Sequence, residues 1–237
     1  MSTTAHPVVP APGRAAGATS ERADSAHRPR GWAWAGVAAG VAGIGTIVTS
    51  SMSTAVYDAT VQGDAPAIVD VMAGQVPQLI AFHLTTMATV ALLPVVAAGL
   101  HRRLRATTPA DSLTGPVAAI GLVLVAVAAL MGSGLDTEFL FAVGEPEVLV
   151  PEAAVVFGHW VGTIPWLWVG AGISGVAVAV AALRHRAVPR WLGVVGLVLG
   201  GLTLLLGISP LQYMAGMTGP VWLLVTMLGL ALGDRRA

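Results

Sequence analysis

Apolar residues occur along this chain in six long blocks, 32–54, 77–100, 116–135, 153–183, 191–208 and 219–233, and every charged residue lies outside them. A helix needs roughly 20 apolar residues to cross a bilayer, so each block predicts a transmembrane helix. The last two blocks are short, and the final helix is expected to begin upstream of residue 219 or to sit tilted beside thinned lipid. Residues 1–30 are rich in Ala, Pro, Ser, Thr and Arg and show no apolar period, which predicts a disordered cytoplasmic tail ending in a basic anchor. The first apolar block follows that long polar leader without a convincing cleavage site, so it reads as a retained anchor rather than a secretory signal. The expected fold is all-α, a polytopic bundle of six transmembrane helices over residues 31–237. Gly36 with Gly40, Gly158 with Gly162, and Gly196 with Gly200 form GxxxG spacings that let helices approach closely; they predict packing faces inside the bundle, with a homodimer contact as the alternative.

Composition narrows the class further. With 55% hydrophobic and 10% charged residues the chain lacks the polar surface of a soluble domain. It has no Cys, which excludes disulfides, thiolate metal sites, iron–sulfur clusters and a Cys nucleophile. Lys is absent too, and the dominance of Ala, Val, Gly, Leu and Arg resembles high-GC bacterial coding. The net charge of zero conceals an asymmetry. Between Gly31 and Gly233, Arg occurs only in 101–105 and 184–190, and it recurs at 235–236. The alternate connections, roughly 55–76, 136–152 and 208–219, contain none, yet they hold Asp58, Asp64, Asp70, Asp136, Glu138, Glu145, Glu147 and Glu152. The positive-inside rule turns this pattern into a topology: a multi-pass protein of the cell membrane with both termini and the Arg loops in the cytoplasm. The bilayer is then the expected partner, and nothing points to nucleic acid.

The candidate chemistry gathers at the outward ends of the spans. In the fourth block Glu152, His159, Thr163, Gly170 and Ser174 follow helical spacing and predict one polar face. The same block carries Trp160, Trp166 and Trp168 around Pro165, which should kink the helix, free the carbonyl near Val161 and open a cavity. The second block contributes Gln75, Gln78, His83, Thr86 and Thr89. The first ends in Thr46, Thr49, Ser50, Ser51, Ser53 and Thr54. Beyond the third block, Asp136 and Glu138 lie two residues apart beside Phe139, Phe141 and lipid, so one of them is expected to stay protonated and serve as a proton donor. A cavity lined by His83, Asp136, His159 and Trp160 is expected between the second, third and fourth spans.

Several chemistries find no support. The two outer histidines show neither a HExxH helix nor a close His pair, and no GxSxG, P-loop or Rossmann fingerprint occurs. No metal or other cofactor is expected. An acid, two histidines and many aromatics at the mouth of a greasy bundle suit protonation of an alkene or epoxide in the isoprenoid chain of a lipophilic substrate. Asp136 or Glu138 would supply the proton with His83 and His159 nearby, and aromatic faces would stabilise the carbocation. The candidate faces are Tyr57, Phe139, Phe141, Trp160, Trp166, Trp168, Tyr213 and Trp222.

The six-span layout, the acidic connection after the third span and AlaValProArgTrpLeuGly at 187–193 resemble small bacterial integral membrane proteins. The size and the membrane-embedded acids with aromatics loosely resemble the membrane-bound terpene cyclases of indole-sesquiterpenoid and meroterpenoid pathways, the fungal members of which have seven spans. That resemblance implies cyclisation of a prenyl group started by an acidic residue. Two other classes stay open: a proton-coupled transporter or channel component using Asp136, Glu138, His83 and His159, and a noncatalytic membrane assembly subunit using its GxxxG faces.

Overall fold

A computed structural model describes residues 31–143, 145 and 149–233; the tail 1–30, Glu147 and residues 234–237 lie outside them. The described residues form helices and connecting turns, with no strand among them. Six helices are long and apolar enough to cross a membrane: Gly31–Ser51, Val76–Arg105, Thr114–Ala142, Pro151–His185, Arg190–Ile208 and Gln212–Gly233. The architecture is that of a multi-pass membrane protein. The sixth span does begin upstream of its apolar block, with a 3-10 turn at Gln212–Met214 leading into a helix that tolerates Pro220 near its start.

Helix packing follows the small residues. A Cβ at Gly36 would strike Met227, and one at Gly40 would lie 2.8 Å from the Leu224 backbone, so the first and sixth spans meet along this stripe. A Cβ at Gly200 would lie 2.7 Å from Gly175 Cα, where the fourth and fifth spans cross almost backbone to backbone. Gly158 and Gly162 face Val56 and Tyr57. All three GxxxG pairs therefore face partners within the chain.

Three spans are interrupted. The fifth widens into a π-helical stretch at Gly196–Gly200, a single-turn expansion of the kind seen as a bulge within α-helices. The third stops at Gly132 and resumes as a short helix, Asp136–Ala142. The fourth leaves α-helix at Thr163, passes through a 3-10 turn at Ile164–Trp166 and resumes at Val169. Pro165 is the cause, because it lacks an N–H and its ring clashes with the preceding turn. The break also corrects the single polar face expected over Glu152–Ser174. His159 and Thr163 belong to one helix, whereas Ser174 belongs to the next, where its hydroxyl donates to Ala118 O at 2.7 Å in the third span.

The connection from 52 to 75 is more ordered than its polar sequence suggests. Asp64 caps a helix at Ala65–Ala73 by accepting the Ala67 N–H at 3.1 Å, with a proline in the first turn. Its inner face, Ile68, Val69 and Met72, packs with Leu79, Phe82, Phe157 and Val161 in a small core at the Arg-free end. The larger core occupies the rest of the bundle around Trp168, Trp222, Leu100, Leu122 and Met227.

Candidate functional site

The break in the fourth span leaves the Val161 carbonyl without its helical partner. Ser50, at the end of the first span, donates its hydroxyl to Val161 O at 2.7 Å. Trp166 then donates its indole N–H to Ser50 Oγ at 2.9 Å, and Trp168 donates to Pro165 O at 3.1 Å. Two tryptophans and a serine thus satisfy polar groups that would otherwise be costly in an apolar interior. The third-span break is fastened to the same place: Trp160 donates to Met131 O at 2.9 Å, and a Cβ at Gly132 would lie 2.7 Å from the Pro165 ring.

Beside this junction, at the Arg-free end, lies a pocket of about 460 Å³. Trp166, Tyr57, Tyr213, Met214 and Met217 supply its aromatic and apolar surface, and Ser50, Ser51, Ser53, Thr163 and His159 supply its polar groups. The Tyr57 ring meets the His159 ring edge-on, with centroids 5.5 Å apart and planes at 83°. Tyr57 stands over Gly162, where a Cβ would collide with its hydroxyl, so the absent side chain is what admits the phenol. Partial burial, and secondarily the neighbouring Tyr213, push the Tyr57 phenol above its ordinary pKa of 10.0. It is a neutral hydroxyl donor at physiological pH.

His83 and Asp136 form a second constellation. His83 Nδ1 and Asp136 Oδ2 are 2.9 Å apart, joining the second span to the short helix after the third-span break. The Asp136 side chain is 1% exposed and the His83 side chain 33% exposed. The contact to Asp136 engages Nδ1 and fixes the orientation of the imidazole. Asp136 Oδ1 is buried without a hydrogen-bond partner.

The residues singled out from the sequence therefore separate into groups. His159, Tyr57, Trp166 and Tyr213 share the pocket; His83 and Asp136 share the pair and line no part of it. Glu138 is exposed and faces a shallower groove of about 380 Å³ with Phe139 and Phe141. Asp136 and Glu138 do not face one another, because positions two apart on a helix point to different sides. Phe139 is buried and stacked on Phe157 at 4.5 Å, whereas Phe141 is 78% exposed. Trp160 is engaged by Met131 O, and Trp222 is fully buried against Gly175. Met214 and Met217 line the pocket without having been singled out, since nothing in their sequence context distinguishes them from other apolar span residues.

Comparison with protein families, characterised proteins and solved structures finds no match for this chain.

Proposed function

We propose that the chain is a multi-pass protein of the cell membrane, with its Arg loops in the cytoplasm, that binds a lipophilic small molecule in the Tyr57–His159–Trp166–Tyr213 pocket at the outward end. The observation that carries this reading is the pocket itself: about 460 Å³, walled by aromatic and methionine side chains with a few hydroxyls and one imidazole. Small-molecule sites have this form, a mostly apolar concavity with a few placed polar groups. A prenyl chain carrying a hydroxyl or carbonyl suits it, the chain lying on aromatic and thioether surface and the polar end reaching the serines, Tyr57 or His159. Such a molecule partitions into lipid and can enter laterally.

Binding is supported better than acid-initiated cyclisation. Asp136 and Glu138, the carboxylates that would supply the proton, do not line the pocket, and Asp136 is held against His83. A proton-coupled role has one observation in its favour, the His83–Asp136 pair with its buried carboxyl, since ionisable groups inside a span are costly and commonly belong to proton pathways.

The test is saturation binding of tritiated farnesol to the purified protein in neutral detergent. Met217→Trp fills the pocket and is expected to weaken binding about tenfold, about 1.4 kcal/mol. Phe141→Ala, on the separate groove, should leave it unchanged. Equal affinity in the wild type and Met217→Trp would reject the pocket.

A further inference from the structure

The Arg-bearing end of the bundle holds a separate apolar groove of about 540 Å³, between the fifth and sixth spans. Pro189 and Trp191 line it at the start of the fifth span, and residues of the sixth span from Val225 to Gly233 line it on the other side. Trp191 lies over Gly229, where a Cβ would be 2.6 Å from its ring. A Cβ at Gly233 would meet nothing within 4 Å, so the groove is open at that end. The groove bears no polar side chain except the indole N–H of Trp191, a residue type that favours the headgroup level of a bilayer.

Its rim is charged. Arg190 sits in sequence between Pro189 and Trp191, both groove residues, and is exposed. Arg184 and Arg186 are exposed in the same connection, and residues 184–190 contain no carboxylate. An apolar slot whose lining residues Pro189 and Trp191 bracket an exposed Arg190 matches a molecule with an acyl chain and an anionic phosphodiester head: the guanidinium fork suits phosphate oxygens, and basic pockets between membrane helices recognise anionic headgroups.

We infer that this groove binds an anionic phospholipid of the leaflet at the Arg-bearing end, its acyl chain along Trp191 and Leu232 and its phosphate at Arg190. The inference is independent of the ligand in the opposite pocket.

The experiment is native mass spectrometry of the detergent-purified full chain titrated with phosphatidylglycerol or phosphatidylcholine of the same acyl chains. The wild type is expected to bind phosphatidylglycerol at least tenfold more tightly. Arg190→Gln, an exposed change that leaves the helix intact, should bring that ratio close to one. Gly233→Leu, which projects into open space, should weaken phosphatidylglycerol binding by obstructing the slot. Equal affinity of the wild type for the two lipids would overturn the inference, as would an unchanged preference in Arg190→Gln. Undiminished phosphatidylglycerol binding by a folded Gly233→Leu protein would place the lipid elsewhere and overturn it too.

Discussion

The His83–Asp136 contact, 2.9 Å long, couples the second span to the short helix after the third-span break and holds an Asp136 side chain that is 1% exposed. The fold turns Asp136 inward to His83 and leaves Glu138, two residues on, exposed. Removing His83 should leave the buried Asp136 carboxyl without its partner. His83→Leu is expected to destabilise the bundle by on the order of 3 kcal/mol, read from unfolding in mixed detergent. The double substitution His83→Leu with Asp136→Leu should be more stable than His83→Leu alone, because it removes the stranded carboxylate along with its partner. A double variant no better than the single one would mean that the pair's charge is not what the core has to compensate.

At the scale of elements, the breaks matter more than the helices. The kink at Pro165 and the freed carbonyl at Val161 were legible in the sequence, since a proline within an apolar block has few other outcomes. The partner of that carbonyl was not legible, because Ser50 is 111 residues away and one of several hydroxyls on its span. The short helix at Ala65–Ala73 had a local signal, Asp64 followed closely by Pro66, hidden in a segment otherwise read as a connection. The existence of the six spans was legible from block length; the sorting of His83 and His159 into different places was not, because depth along two helices does not determine which way each faces. Ser50→Ala should cost about 1–2 kcal/mol, since it strands both the Val161 carbonyl and the Trp166 N–H. The same unfolding assay checks it, and an unchanged midpoint would show that the break is held by packing alone. Close crossings give a second contrast. A Cβ at Gly121 would strike the Gly170 carbonyl, part of a backbone that has little room to yield, whereas one at Gly201 meets nothing within 4 Å. Gly121→Ala should therefore severely impair folding, while Gly201→Ala should be neutral or stabilising by up to about 1 kcal/mol through helix propensity. Equal tolerance of the two would contradict the tight third–fourth span crossing.

For the whole molecule, the bundle has two chemically different ends: one carries the Arg connections and the apolar groove beside Trp191, the other the Ser50–Trp166 junction, the pocket and the His83–Asp136 pair. The proposed orientation predicts that reporter fusions after Arg105 and Arg186 read cytoplasmic and those near Glu145 and Met217 read external; the opposite readout at either Arg loop would invert it. The proposed activity rests on the pocket at the Arg-free end taking up a lipophile. The most direct measurement is photo-crosslinking with a diazirine-bearing prenyl alcohol in membranes, followed by peptide mapping of the labelled residues. The account predicts labelling concentrated on Tyr213, Met214 and Met217, competed away by unlabelled farnesol. Labelling spread over the lipid-facing surfaces of all six spans, or concentrated around Glu138 and Phe141 instead, would contradict it.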